Sequence, residues 1–223
     1  MTERRSVPRV ALLHTTPVST ASLTAAFAEW FPEAELVHIT DDSLLWEVRR
    51  CGITPAVRKR LTLYAMAAEA TGAGAVLNCC SSISETAALL RQVVDLPVVQ
   101  VDEPMAEAAV RSGGRIGVFA TLESTMEPST RLVQRVAREL GREADVRAYL
   151  CEGAFDRLQA GDAEGHDARL AEAVRGAVGE IDVAVLAQGS MARAEARLAR
   201  ELPIPVFGSL RLAVLSVREL LNT

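Results

Sequence analysis

The sequence predicts an α/β protein made of two pseudo-symmetric, doubly wound lobes, each with a mainly parallel sheet flanked by helices. Three observations lead there. Short apolar runs alternate with longer stretches of helical period along the whole chain. The runs are rich in Val, Leu, Ile and Ala, as strands covered on both faces should be. The chain also echoes itself: RVALLHTTP returns as RIGVFATLEST 106 residues later, and GAVLNCCSS as DVAVLAQGSMA 108 or 109 residues later. A repeat at about half the chain length reads as two similar halves.

The apolar runs predict strands at Arg9–His14, Glu35–Ile39, Gly74–Asn78, Pro97–Val101, Arg115–Ala120, Asp145–Leu150, Asp182–Ala187 and Ile204–Phe207. The stretches of helical period predict helices at Ser19–Trp30, Pro55–Ala70, Glu85–Val94, Met105–Ser112, Glu127–Leu140, Ala168–Val178, Arg193–Leu202 and Leu210–Leu221. Asp162 suits a helix start, where a carboxylate accepts from the orphan amides of the first turn. Asp41 and Asp42 follow a strand and read best as a cap for the residues from Ser43 onward. The lobes divide near Val101–Asp102: residues 1–101 plus about 208–223 form the first, 102–207 the second. Ligands of such sheets bind beyond the carboxyl ends of the strands, so residues just past those ends matter most.

Composition narrows the function. Lys and Arg number 24 and Asp and Glu 29, a net charge of −5 with no basic stripe, which excludes nucleic acid and anionic lipid as expected partners. Hydrophobic residues make up 49% and charged residues 24%, ordinary for a globular chain; aromatics at 4% leave the core to Ala, Val and Leu. No apolar run approaches the roughly 18–20 residues that cross a bilayer. The opening MTERRSVPRVALL lacks the apolar length of a secretory leader, so the cytoplasm is the expected compartment. Cys51, Cys79, Cys80 and Cys151 lack CxxC spacing and a nearby His pair, and read as free thiols without a metal. There is no GxGxxG and no GxxxxGK[ST], and Gly113-Gly114 precedes a strand instead of following one. No nucleotide cofactor is expected.

The sharpest local feature is Asn78-Cys79-Cys80-Ser81-Ser82, between a predicted strand and a helix beginning near Ser84. A thiol with a pKa of about 8.5 is only a few per cent thiolate at neutral pH. Half-ionisation needs a shift of about 1.5 units, or roughly 2 kcal/mol. A helix N-terminus supplies ~0.3–1 kcal/mol when exposed and up to ~2 in buried geometry, so a reactive thiolate is within reach. The competing reading is packing, since Cys is among the most buried residue types. Cys51 and Cys151 lack comparable surroundings and read as structural. Thr15, Thr16, Ser81, Ser82, Thr121 and Thr125 all follow strand ends, where hydroxyls and amides can hold a carboxylate or cap a helix. His14 at a strand end can act as acid or base or simply pack; His38 falls inside a strand, and His166 near a helix start.

With those residues in view, the chain resembles the aspartate/glutamate/hydantoin racemase superfamily over nearly its whole length. The resemblance rests on LLHTTP, GAVLNCCSS, RIGVFATLEST and DVAVLAQGSMARA. It implies an active site between two lobes and cofactor-independent chemistry at a carbon next to a carboxylate. It further implies a small carboxylic acid as substrate and a homo-oligomer. Racemising members use one cysteine from each lobe. The first-lobe pattern, a thiol followed by two hydroxyls, fits Cys80-Ser81-Ser82. Cys79 competes, because a repeat of 109 residues pairs it with Gln188.

In the second lobe the cysteine position holds Gln188, whose amide exchanges no proton at neutral pH. Two-base racemisation is therefore not expected. One thiol still supports protonation of an enolate, as in the related arylmalonate decarboxylases, or covalent addition, as in the related maleate isomerases. Gln188 is then a hydrogen-bond donor to the enolate oxygen, a role worth roughly 3–4 kcal/mol. Thr15, Ser81, Ser82, Thr121, Thr125, Gly189 and Ser190 are the expected substrate-binding residues. His14-Thr15 stands where glutamate racemases carry Asp-Ser, which favours a neutral or purely anionic acid over an amino acid. Two readings result: a cysteine-dependent isomerase, racemase-like enzyme or lyase, and a non-catalytic small-carboxylate sensor on the same fold.

Overall fold

The computed structural model describes residues 7–222. The start of the opening stretch MTERRSVPRVALL, through Ser6, lies outside them. The chain divides into two compact units, one running to Val101 and resuming at Ala213, the other covering Asp102–Leu212.

The first unit contains β1 (Arg9–His14), α1 (Val18–Trp30), β2 (Glu35–Thr40), α2 (Asp42–Cys51), α3 (Pro55–Ala70), β3 (Ala75–Asn78), a 3₁₀ segment Ser81–Thr86, α4 (Ala87–Leu90) and β4 (Val98–Gln100). The second contains α5 (Glu103–Ser112), β5 (Arg115–Ala120), α6 (Glu123–Glu139), β6 (Asp145–Leu150), α7 (Ala154–Gln159), α8 (Ala163–Ala177), β7 (Val183–Leu186), a 3₁₀ turn Gly189–Met191, α9 (Ala192–Glu201) and β8 (Val206–Gly208). The last helix, α10 (Ser209–Asn222), begins in the second unit and continues into the first.

Each unit holds one four-stranded parallel sheet, in the order β2-β1-β3-β4 and β6-β5-β7-β8. The central strands β1, β3, β5 and β7 are almost wholly buried, which is why their sequences are mainly apolar, with buried His14 and Asn78 at the ends of β1 and β3. The edge strands β2 and β6 are partly exposed and carry polar residues.

In the first unit, Ala11, Leu13 and Val76 of the sheet pack with Leu44 of α2, Val57, Leu61 and Ala65 of α3, and Ile83 and Leu90 beyond β3. In the second unit, Ile116, Val118, Val183 and Val185 pack with α5 and α6. On the other face Phe119, Ala184 and Leu186 pack with α8 and α9. Helix α10 closes on the first sheet beside Gly74, where an added Cβ would lie 2.8 Å from Leu221 Cδ2. Arg218 Nη1 also donates to the Trp30 carbonyl at 3.4 Å.

Capping explains several boundaries. Asp162 accepts from Gly165 N at 2.8 Å and starts α8. Asp41 accepts from Ser43 N at 3.1 Å and starts α2, a helix not predicted as such from the sequence. Asp41 also takes bonds from Arg60 Nη1 at 3.0 Å and Tyr64 Oη at 2.7 Å, so one carboxylate caps α2 and ties it to α3.

The main correction lies after β3. The predicted helix Glu85–Val94 is a 3₁₀ segment from Ser81, broken at Ile83 (φ −117°, ψ 17°), followed by the single α-turn of α4. The Ile83 carbonyl is taken by Thr86 Oγ1 at 2.6 Å and Asn78 Nδ2 at 3.5 Å, partners that compete with helical bonding.

Candidate functional site

In the first lobe, β1 and β3 run side by side with Leu13 opposite Asn78, and Cys79 N donates to the Leu13 carbonyl at 3.0 Å. This brings Thr15, just past β1, and Cys79, Cys80, Ser81 and Ser82, just past β3, to one carboxyl edge. Thr15 is 1% exposed and its Oγ1 has no hydrogen-bond partner. Cys80, extended at φ −127° and ψ 121°, is the residue from which the 3₁₀ segment springs.

The two neighbouring thiols differ. Cys79 is buried, its Sγ donating to the Leu77 carbonyl at 3.3 Å. Burial pushes this thiol well above its ordinary range, and a charge on adjacent Cys80 would push it further. Cys80 is partly exposed, with one flank against the apolar cluster of the lobe. Ser81 is half-buried and Ser82 exposed. The break at Ile83 weakens the helix dipole that the sequence led one to expect here, because only short, misaligned turns follow the thiol. What remains is the local set of amides at the 3₁₀ start. Of the other thiols, Cys51 is exposed, and Cys151 is buried and pushed up to about 12 by that burial.

In the second lobe, Phe119 lies opposite Leu186 and Ala187 N donates to the Phe119 carbonyl at 2.9 Å. The registers therefore fix the internal repeat. Leu13 matches Phe119 at 106 positions and Asn78 matches Leu186 at 108, so Thr15 matches Thr121 and Cys80 matches Gln188. Gln188 has the backbone of Cys80, at φ −140° and ψ 141°, and likewise opens a 3₁₀ turn. Its Oε1 accepts from Thr121 N at 2.6 Å and Thr121 Oγ1 at 2.9 Å. Since a backbone N–H can only donate, this pairing fixes the amide's orientation and leaves Nε2 as the donor end. Gly189 and Ser190 are exposed beside it. Thr125 sits in the first turn of α6, which starts at Glu123 instead of Glu127.

Two further groupings were not foreseen from the sequence. His14 Nε2 lies 3.0 Å from His38 Nδ1, and His14 Nδ1 lies 3.0 Å from Ser19 Oγ. Burial, with repulsion from His38, lowers the His14 pKa to about 4. Asn78 and Gln100, opposite one another on β3 and β4, are fully buried beneath the Cys80 turn. No short-range motif joins residues so far apart in sequence. Among the described residues no cluster of three His, Cys, Asp or Glu is placed to hold a metal, and no helix is long and apolar enough to cross a membrane.

Two parallel sheets of one strand order, carrying matched strand-end residues 106 and 108 positions apart, invite comparison with known proteins. The family described as Asp/Glu/Hydantoin racemase matches residues 12–217. The chain belongs to that family. No curated protein matches it. Among solved structures it is similar to an aspartate racemase homologue from Pyrococcus horikoshii OT3, with a TM-score of 0.75 at 17% identity, covering 96% of this chain and 99% of that one. It is similar to allantoin racemase from Klebsiella pneumoniae, with a TM-score of 0.72 at 16% identity over 96% and 88%. It is also similar to unliganded arylmalonate decarboxylase, with a TM-score of 0.67 at 16% identity over 96% and 93%. At such identities these likenesses bear on the fold: two α/β lobes of the racemase type.

Proposed function

We propose that this racemase-family chain is a cofactor-independent, cysteine-dependent isomerase, racemase-like enzyme or lyase, acting at the carbon next to the carboxylate of a small organic acid. Cys80 is its acid–base or nucleophilic group. As a thiolate, Cys80 takes the α-proton; the C–H electron pair passes to the α-carbon and the carboxylate as an enolate, and the thiol returns a proton to the same carbon. Thr15, Ser81 and Ser82 beside Cys80 hold the substrate's oxygens by N–H and hydroxyl donors, and Thr125, Gly189 and Ser190 are the donors at the matching edge of the second lobe. Gln188 donates from Nε2, and Thr121 orients it. With no proton-exchanging group at position 188, exchange on one face is favoured over two-base racemisation.

The single observation that supports this most is the partly exposed thiol of Cys80 at the strand-end position matched by Gln188, beside a Cys79 that is buried and held neutral. The test is incubation with a panel of small carboxylic acids in deuterium oxide. Wash-in beside the carboxylate is expected, lost in Cys80→Ala and kept in Cys79→Ala. Wash-in that survives Cys80→Ala contradicts the assignment. Binding of dicarboxylates with no wash-in from any substrate would favour the sensor reading instead.

A further inference from the structure

We propose that Gln100, together with Asn78, is a positioning pair that sets the Cys80 turn. The inference rests on the reading of Cys80 as the reactive group. The two residues lie directly opposite one another at the ends of β3 and β4 and are 0% exposed. Gln100 Nε2 donates to the Cys80 carbonyl at 3.4 Å, which also accepts from Ile83 N at 3.2 Å. Asn78 Nδ2 donates to the Ile83 carbonyl at 3.5 Å. Both ends of the turn that presents the thiol are thus held from below by buried amides. The arrangement has a cost, because Asn78 Oδ1 and Gln100 Oε1 are buried with no donor.

The second lobe is an internal control. By register, Asn78 matches Leu186 and Gln100 matches Gly208. There Leu186 joins an apolar cluster, and the space at Gly208 is taken by Glu195, whose carboxylate is bound by Arg211 at 3.0 Å. Among the described residues the Gln188 carbonyl takes only the Met191 N–H, at 2.9 Å. The same backbone therefore forms without an amide pair beneath it. The pair occurs only in the lobe that carries the thiol, and it bonds to the backbone at and just beyond that thiol.

The experiment measures iodoacetamide alkylation of Cys80 by peptide mass spectrometry, with exposed Cys51 as the reference thiol, alongside thermal unfolding. Gln100→Met keeps the length and removes the amide; Asn78→Leu installs the second lobe's residue. Each variant is expected to slow Cys80 alkylation roughly three- to tenfold, the effect of losing one hydrogen bond. Cys51 should be unchanged, and the unfolding midpoint equal or higher, because a buried oxygen without a donor has gone. Slower alkylation with undiminished stability is not what a merely structural pair would give. Wild-type rates at Cys80 in the folded variants overturn the inference, as does a lowered midpoint with an unchanged rate. If wild-type Cys80 reacts no faster than Cys51, the functional reading fails and takes this inference with it. A fast wild-type Cys80 with unaffected variants removes the positioning role alone.

Discussion

The ends of β3 and β7 share a backbone and differ in chemistry. Both strands lead through an extended residue into a 3₁₀ turn, Cys80 in one and Gln188 in the other. At position 188 a long side chain reaches the amide and hydroxyl of Thr121. At position 80 a short thiol stands partly exposed, while the hydroxyl of Thr15, the match of Thr121, has no partner. The second lobe satisfies the Thr121 donors with the Gln188 oxygen; the first leaves the Thr15 hydroxyl without a partner. A duplicated backbone thus preserves where a side chain sits without preserving its chemistry.

The comparison can be broken most sharply by removing each side chain in turn. Cys80→Ala should lower deuterium wash-in ~10,000-fold, the upper end for an acid–base group, since one thiol both takes and returns the proton. Gln188→Ala should lower it ~100- to 1,000-fold, as for loss of one enolate donor. Equal effects would contradict the division of labour, as would an order reversed.

A second test uses His14, which matches Ala120 in the other lobe. His14 stays neutral in the folded chain down to about pH 4, against an ordinary value of 6.5. Between those values the unfolded chain binds more protons, so the stability tied to neutral His14 is whole above 6.5. It is lost as pH falls toward 4, by up to about 3 kcal/mol. Urea midpoints of wild type should fall across that window, and those of His14→Gln should fall less.

Gln188→Leu strands the Thr121 donors, and Thr121 is only 6% exposed. A loss of about 1–2 kcal/mol in urea unfolding is expected, part of it recovered when Thr121→Val is added. The smallest effect is at α8: Asp162→Ala loses only its cap, its other partner Arg157 being exposed, and should lower the urea midpoint by less than Gln188→Leu does, with wash-in unaffected.

Much of this contrast was legible in the sequence, for physical reasons. β1, β5 and β6 begin and end where the apolar runs do, and the repeat showed in the letters because both lobes need the same buried strands. The register of the repeat was not legible: 108 and 109 fit equally well until strand pairing chose 108 and matched Cys80 to Gln188. Helix α2 was missed because its polar face interrupts the apolar pattern and only Leu44 is buried. The segment after β3 looked helical because Ala87, Leu90 and Val94 have helical spacing. The competing bonds to the Ile83 carbonyl come partly from Asn78, on the preceding strand. The Thr121–Gln188 bond spans 67 residues, and no local pattern announces it.

The division of the first lobe into two stretches also bears on how the protein is made. Every strand of the second lobe's sheet is translated before α10, but the notch at Gly74 waits for Leu221. The half bearing Cys80 is thus left, during synthesis, with an apolar flank uncovered until the polypeptide returns to it. Free chains truncated after Leu212, with the second unit whole, should engage chaperones through that half first.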